Sequence, residues 1–335
     1  MAKPAHRGRF RNIDNTGFGP NSNVEGGRLT NKDGTTNVNK IGMPFYERIS
    51  IYHTLLRMPR AKFLGMVFLL YTSVNVFFAF VFLLIGVDKL QGAENAHTLV
   101  QKYVHAFFFS SQTLTTVGYG HISPSSFWAN AIASFESLLG ILVFALVTGI
   151  FYARFSRPRA YILFSQNLLV SPYKGGRALM FRLATFKNNH LTDVEAQITV
   201  AMHVQENGQG VTRFYQLPLE ISRVNSLALS WTIVHPLNEN SPMYQYSEAE
   251  LSESKIELIV AIKAFDDHFS NTVQQRTSYN YRDMVYGARF IPMIQRSVHG
   301  STTVLGLDKV NAYERIYIPE EDVKPADTET VAANS

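Results

Sequence analysis

Two long runs without charge constrain the fold of this chain more than any other feature of its sequence. Residues 63–87 hold 25 consecutive positions with no charged side chain, and residues 128–153 hold 26 that are interrupted only by Glu136. A helix needs roughly 20 apolar residues to cross the hydrocarbon core of a bilayer. Basic residues flank the start of the first run and the end of the second, a bias typical of cytoplasmic ends. The sequence therefore predicts a multi-pass membrane protein with two transmembrane helices and both termini in the cytoplasm.

The composition of the chain limits its chemistry. Its 335 residues include no cysteine, which excludes a disulfide framework, a thiolate metal site and a cysteine nucleophile. The net charge is +5, and the basic residues that matter lie beside the apolar runs, which favours anionic lipid headgroups over nucleic acid as partners. The sequence has no Gly-rich phosphate loop, metal-ligand cluster or nucleophile-base constellation. We therefore predict that the protein is not an enzyme and needs no cofactor.

Changes in composition divide the chain into segments. The first 43 residues are rich in Gly, Asn and Arg, as is typical of a mobile tail. Apolar residues between Phe45 and Leu56 recur at helical spacing, which predicts an amphipathic helix that lies along the membrane interface because the first span follows directly. The predicted segments are a cytoplasmic tail at 1–43, an interfacial (slide) helix at 44–58, a transmembrane domain at 59–157, a cytoplasmic β-domain at 158–319 and a disordered tail at 320–335.

The C-terminal half of the chain has a different periodicity. Short runs in which apolar and polar residues alternate predict β-strands, and turn-forming stretches separate them. These runs are residues 178–186, 195–204, 227–234, 256–264 and 284–291. Roughly seven or more short strands are typical of an antiparallel sandwich. The predicted fold class is a membrane α-helical two-span domain followed by an all-β sandwich.

The segment between the spans carries the most specific motif. Residues 105–115 predict a short helix that runs directly into Thr116, Val117, Gly118, Tyr119 and Gly120. These five residues match the Thr-Val-Gly-Tyr-Gly sequence of potassium-channel selectivity filters, in which backbone carbonyls replace the hydration shell of the ion. Glycine tolerates the left-handed backbone that this arrangement requires, and the preceding helix points the negative end of its dipole at a cation. K⁺ in this filter is the only metal ion predicted.

The motif completes the predicted transmembrane domain, which becomes a pore domain with a reentrant loop. Its elements are an outer helix at 63–87, a pore helix at 105–115, a filter at 116–120 and an inner helix at 127–155. Irregular backbone at membrane depth is tolerated only where it lines a cavity or is buried in protein. The order of these elements favours a potassium channel.

Three other functions compete with a simple channel. A sensor or adhesion protein would use the spans as an anchor, but an anchor has no need of a reentrant loop. An enzyme would need a catalytic constellation, whereas histidines such as His190 and His235 are scattered along the sequence. A channel with a nucleotide-binding regulator would need alternating strands and helices and a Gly-x-Gly-x-x-Gly turn, which the sequence lacks.

Longer stretches of the chain resemble one family, the inwardly rectifying potassium channels, and in particular its bacterial, KirBac-type branch. The resemblance covers roughly 280 residues and is carried by residues 33–38, 153–158, 181–184, 232–236, 238–244 and 275–279. It implies a homotetramer in the bacterial inner (plasma) membrane, with an immunoglobulin-like cytoplasmic domain that extends the pore. The permeant ion would be K⁺.

The resemblance also implies roles for residues of the inner helix. The pore-lining positions match Ser137, Ile141, Phe144, Thr148 and Tyr152. Tyr152 takes the place of the bulky side chain that forms the gate at the cytoplasmic bundle crossing. Gly140 and Gly149 match the helix glycines of the family, and each is either a hinge or a site of close helix packing.

Charged residues form the remaining candidate sites. The residues expected to bind anionic phospholipids such as phosphoinositides are Arg57, Arg60, Lys62, Arg154, Arg157 and Arg159, although basic flanks also arise from insertion topology alone. Asp267 matches an acidic ring of the cytoplasmic pore, or is a solvated loop charge. Glu136 either forms a structural hydrogen bond behind the pore helix, which we favour, or contacts ions directly.

Three positions depart from the pattern of the animal members of the family. Phe144 stands where strong rectifiers have an acidic residue in the inner cavity, so weak rectification is expected. Gln112 and Ile122 stand where a glutamate and an arginine form an ion pair behind the filter. That ion pair is absent from this chain.

Overall fold

The computed structural model describes Ile13 and residues 16–18, 28–44, 50–94, 96–206, 209–244, 246–253, 255–296 and 302–318. The chain divides into two units: a helical unit, Ile41–Arg157, and a β unit, Met1–Lys40 with Pro158–Ser335. The predicted disordered tail and residues 45–49 of the predicted interfacial helix lie outside the described residues.

Among the described residues of the helical unit there are four α-helices: α1 Ile51–Arg57, α2 Arg60–Ile85, α3 Leu99–Leu114 and α4 Phe127–Phe155. Helices α2 and α4 are long and apolar enough to cross a membrane. Helix α2 corresponds to the predicted outer helix, α3 to the pore helix and α4 to the inner helix. Helix α3 begins six residues before the predicted start because Thr98 and Gln101 form a capping box at its N-terminus.

Aromatic and small side chains pack the three longer helices together. The rings of Phe82 on α2 and Phe109 on α3 lie edge to face, with centroids 4.9 Å apart. Helix α4 meets this cluster with two buried alanines, Ala129 and Ala133, so that its backbone comes close to α3. A two-residue strand pair, β1 Leu90–Gln91 with β2 Ser123–Pro124, joins the segments on either side of α3 and the filter.

The β unit contains two five-stranded sheets that share one core. The strands of these sheets are β3 Ile162–Phe164, β4 Leu168–Tyr173, β5 Gly176–Thr185, β6 Leu191–Glu206, β7 Gln209–Gln216, β8 Arg223–Ser226, β9 Ser230–Pro236, β10 Glu257–Asp266, β11 Asn271–Asn280 and β12 Met284–Tyr286. One sheet has the order β11-β10-β6-β7, with β8 also on β6, and the other has β12-β4-β5-β3, with β9 also on β5. Only the β12–β4 pair is parallel among the described pairs.

Short elements complete the β unit. Strand β13 Ala288–Phe290 pairs with β16 Tyr313–Arg315, and β14 Ile294–Arg296 pairs with β15 Thr303–Leu305. A short helix of 6 residues, α5 Glu248–Glu253, precedes β10. Between the two sheets, the ring centroids of Phe181 and Tyr279 lie 5.3 Å apart. The predicted sandwich of seven or more strands is therefore confirmed.

Arg182 is a buried cation that binds backbone instead of a carboxylate. Its guanidinium donates to the carbonyls of Ile291 and Lys309, both at 2.6 Å, and also to those of Val310 and Ala312. The group also lies 4.5 Å from the centre of the Phe290 ring. Arg182 thus fastens the 307–312 segment to strand β5.

His235 on β9 is also buried, and it is held in its neutral form. Its Nδ1 lies 2.6 Å from the carbonyl of Pro218, and its Nε2 lies 2.8 Å from the hydroxyl of Ser241. A carbonyl can only accept, so Nδ1 carries the proton and Nε2 accepts from the serine. Burial lowers the pKa of His235 from 6.5 to about 4.

Part of the predicted N-terminal tail packs on the β unit. Leu29 and Thr30 are buried, and their backbone N–H groups donate to the carboxylate of Glu257 at 2.6 and 3.0 Å. Burial of this carboxylate raises the pKa of Glu257 in spite of those two donors. The ordered stretch was missed because its binding partner lies more than 200 positions away in the sequence.

Candidate functional site

The five predicted filter residues follow the end of α3 as irregular backbone. Thr116, Gly118 and Gly120 have φ values of 60°, 55° and 79°, so every second residue lies in the left-handed region. Such an alternation turns successive carbonyls towards one side. The sequence anticipated it for the two glycines. The left-handed threonine was missed, because a β-branched residue rarely adopts this conformation.

Gln112 supports the filter from behind. Its backbone carbonyl accepts hydrogen bonds from the N–H groups of Val117 and Gly118, at 3.0 and 3.2 Å. Its buried side chain donates from Nε2 to the carbonyl of Ile122 at 3.1 Å. A neutral hydrogen bond therefore links the two positions at which the sequence predicts that the ion pair of the animal channels is absent.

The filter side chains lie on the surface of the single chain. Val117 is 54% exposed and Tyr119 is 82% exposed. Neighbouring large apolar side chains are rarely left exposed together on a protein surface, and their exposure indicates a surface that further chains would cover.

One face of helix α4 packs against α3, and a different face is open, that is, exposed in the single chain. The packed face repeats at helical spacing through Ala129, Ala133, Glu136 and Gly140. The open face carries four of the five predicted pore-lining residues, with Ile141 56%, Phe144 73% and Tyr152 74% exposed and Thr148 also exposed. The fifth, Ser137, is half-buried, and its hydroxyl lies 3.5 Å from the carbonyl of Thr113.

The two inner-helix glycines have different surroundings. A Cβ on Gly140 would lie 2.0 Å from the carbonyl oxygen of Leu114, the last residue of α3. A Cβ on Gly149 would meet no atom within 4 Å. The geometry favours close packing over bending at Gly140, while both interpretations of Gly149 stay open.

Glu136 lies in a polar cluster that joins three helices. Ser110 on α3 donates to one carboxylate oxygen of Glu136, and its hydroxyl is also 3.1 Å from Oδ1 of Asn75 on α2. All three side chains are buried. The second carboxylate oxygen has no hydrogen-bond partner among the described residues. The favoured structural role thus fits the geometry, and Asn75, a polar residue inside an apolar span, was the signal in the sequence that went unused.

The basic residues at the span ends fall into two environments. Arg57, Lys62 and Arg157 are exposed and have no hydrogen-bond or ion-pair partner among the described residues. Arg154 is half-buried and bonded to backbone carbonyls of α1 and the residue after it, and Arg60 lies over an aromatic ring. The sixth predicted lipid ligand, Arg159, is an exposed residue of the β unit.

Asp267 lies in the turn between β10 and β11. Its Oδ2 is 2.5 Å from Nδ1 of His190, and its Oδ1 accepts from the hydroxyl of Thr192 at 3.2 Å. The contact with His190 is the main cause that lowers the pKa of Asp267. The carboxylate is therefore engaged locally as well as exposed, and both interpretations of Asp267 stay open.

Comparison with known proteins agrees with this geometry. Residues 162–331 match the family described as "Inward rectifier potassium channel C-terminal domain", and residues 65–157 match the family described as "Ion channel". The inward rectifier potassium channel Kirbac3.1 of Paramagnetospirillum magnetotacticum is 31% identical over 79% of this chain and 88% of its own length. The G protein-activated inward rectifier potassium channel 2 of Pongo abelii is 26% identical over 80% of this chain and 68% of its own length.

The matched regions cover both units. They include the two membrane-spanning helices and the segment between them, as well as most of the β-sandwich. Together with the filter-like backbone between α3 and α4, they show that this chain belongs to the inward rectifier potassium channel family and is a membrane-embedded K⁺ channel of its bacterial type.

Proposed function

We propose that four copies of this chain surround one pore and that residues 116–120 select K⁺ in it. The observation that carries this proposal is the alternation of left-handed residues at Thr116, Gly118 and Gly120, directly after the C-terminal end of α3. Four such segments would stack rings of carbonyl oxygens that replace the water around a K⁺ ion. The exposed side chains of Val117 and Tyr119 support an assembly in which neighbouring subunits cover them.

The gate of this pore is proposed at the cytoplasmic end of α4. Tyr152 is 74% exposed on the same face as Phe144 and lies eight residues after it. Eight residues of helix span about 12 Å, so four copies of each ring would form two constrictions at that separation. A ring of aromatic side chains closes a pore by excluding water. Phe144 in the inner cavity, in place of an acidic residue, supports weak rectification.

Anionic phospholipids of the cytoplasmic leaflet are the proposed regulators. Arg57, Lys62 and Arg157 are exposed cationic residues near the ends of the spans, and each contributes roughly 1 kcal/mol near an anionic surface. Basic residues at these ends also support a topology with both termini in the cytoplasm. The likeness to a channel of P. magnetotacticum supports a bacterial inner membrane as the location.

A pair of glycine variants tests the filter. Gly118→Ala places a Cβ on a residue with φ 55°, and Gly175→Ala does so at φ 75° in the turn between β4 and β5, and neither Cβ meets an atom within 4 Å. Both changes therefore carry a similar backbone strain, of about 1–2 kcal/mol. Only the first lies in the proposed filter.

The measurement is K⁺ and Na⁺ uptake into liposomes that contain the purified tetramer. The parent and Gly175→Ala should both prefer K⁺, whereas Gly118→Ala should lose K⁺ flux or its preference over Na⁺. Equal K⁺ and Na⁺ flux through the parent, or a stable monomer in mild detergent, would refute the proposal.

A further inference from the structure

The interfacial helix α1 ends with a carbonyl that its own backbone cannot satisfy. In an α-helix the carbonyl of each residue accepts from the N–H four residues later. Four residues after Leu55 stands Pro59, which has no N–H to donate. Met58, which ends the helix, already has an extended backbone with φ −57° and ψ 141°. The carbonyl of Leu55 therefore needs a donor from another part of the molecule.

Arg154, in the last turn of α4, is that donor. One nitrogen of its guanidinium donates to the carbonyl of Leu55, and another donates to the carbonyl of Met58 at 2.5 Å. The last carbonyls of a helix carry the negative end of its dipole, so a cation is favourable there. The guanidinium also lies 4.5 Å from the centre of the Phe63 ring near the start of α2. One side chain thus joins α1, α2 and α4.

A reciprocal contact strengthens the same junction. Arg60, the first residue of α2, lies 5.7 Å from the ring of Phe155, the last residue of α4. Phe151 fills the space between the helices, with its ring 4.7 Å from Phe155 and 6.5 Å from Phe63. Arginine over an aromatic face is a favourable arrangement in its own right. Two arginine–aromatic contacts, Arg154 with Phe63 and Arg60 with Phe155, therefore hold the start of the outer helix against the end of the inner helix.

We propose that Arg154 couples movement of the interfacial helix to the gate and that it is not itself a ligand of the lipid headgroup. Its donors already bind backbone, and it lies two residues after Tyr152 on the helix that the proposed gate belongs to. Arg57, Lys62 and Arg157 remain for the phosphates of the lipid. The inference rests on the proposed function, because it assumes a lipid-regulated gate near Tyr152.

Two variants separate coupling from lipid binding. Arg154→Met keeps an unbranched apolar stem against Phe63 but removes the donors and the charge. Arg157→Gln is the matched control, since it removes an exposed arginine without described contacts three residues further along. Binding of soluble short-chain phosphatidylinositol 4,5-bisphosphate is measured on the full-length tetramer in detergent, and K⁺ flux is measured in liposomes with and without the long-chain lipid.

We expect one variant to lose lipid affinity and the other to lose the flux response to lipid. Arg157→Gln should weaken lipid binding about fivefold and keep the full flux response at higher lipid content. Arg154→Met should bind the lipid within about twofold of the parent and lose most of the flux response. An Arg154→Met channel that binds lipid as weakly as Arg157→Gln but still responds fully at saturation would overturn the proposal.

Hydrogen exchange gives a readout that does not depend on flux. In the parent, the short-chain lipid should slow amide exchange in the interfacial helix and also at residues 148–155, at the end of α4. In Arg154→Met the first effect should remain and the second should disappear. Protection of both segments in the variant would refute the coupling. A parent that carries no K⁺ flux would instead count against the proposed function, and the exchange comparison would still test the coupling. If Arg154→Met does not assemble, Arg154→Lys, which cannot bridge both carbonyls with a planar group, serves the same comparison.

Discussion

Replacement of Gly140 by alanine tests whether the inner helix must touch the end of the pore helix. The added Cβ would lie 2.0 Å from the carbonyl oxygen of Leu114 and 2.9 Å from its carbon, both of them backbone atoms that cannot rotate away. The two helices would have to separate by about 1 Å before the contact reached the 3.0 Å that Cβ atoms tolerate. Overpacking of this kind costs about 1–3 kcal/mol, against a gain of up to about 1 kcal/mol from better helix propensity.

The displacement would reach the filter because Leu114 is only two residues from Thr116. If about 1.4 kcal/mol of the misfit raises the barrier to ion transfer, K⁺ flux falls about tenfold. Gly149→Ala is the matched control on the same helix, since its Cβ would meet nothing within 4 Å. That variant should keep the parental flux and stabilise the helix by about 0.5–1 kcal/mol.

Both variants are compared with the parent by K⁺ uptake into liposomes and by the temperature at which the tetramer dissociates in detergent. The expected order of dissociation temperature is Gly149→Ala, parent, Gly140→Ala. The reasoning is refuted if Gly140→Ala conducts like the parent. Loss of flux in Gly149→Ala with an intact tetramer would instead place a hinge there.

Three further changes address the gate and the β unit. Tyr152→Ala should raise K⁺ flux into liposomes without changing the preference for K⁺ over Na⁺, and an unchanged flux would place the controlling constriction elsewhere. Arg182→Met leaves buried carbonyls without a donor and should lower the free energy of unfolding of the full-length protein by about 2–4 kcal/mol in a denaturant titration; a loss below about 1 kcal/mol would contradict this. Because burial lowers the pKa of His235 from 6.5 to about 4, its stabilisation is complete above pH 6.5 and is lost as the pH falls towards 4. The loss should amount to about 3 kcal/mol and should be missing in His235→Gln.

The sequence was sufficient for the features that depend on neighbouring residues. Uncharged runs locate the spans because a bilayer excludes charge along the whole helix, and the predicted bounds of the inner helix, 127–155, coincide with those of α4. The filter could be predicted at residues 116–120 because its chemistry is confined to five consecutive residues. Strands were found where one face is buried and the other is not, as in β9, in which buried and half-buried residues alternate without a break.

Features that depend on distant pairs could not be predicted. Arg154 appears in the sequence as one of six basic residues, and its carbonyl partners lie 99 and 96 positions earlier. The charge pattern therefore predicts that Arg154 binds lipid, whereas its guanidinium donates to backbone carbonyls. Glu257 reaches Leu29 over 228 positions. In both cases a charged side chain satisfies backbone groups, and no residue type signals which backbone groups lack a partner.

Gln112 supports the filter through neutral groups, at a position where the resemblance places one member of an ion pair in the animal channels. A buried ion pair must recover a large desolvation cost, whereas an amide that meets a carbonyl recovers a small one. The Gln112 side chain holds Ile122, beyond the filter, while its backbone carbonyl holds Val117 and Gly118 within it. The residue thus fixes the filter from both sides through groups that do not ionise. Because none of these groups ionises, the Gln112 hydrogen bonds behind the filter do not depend on pH.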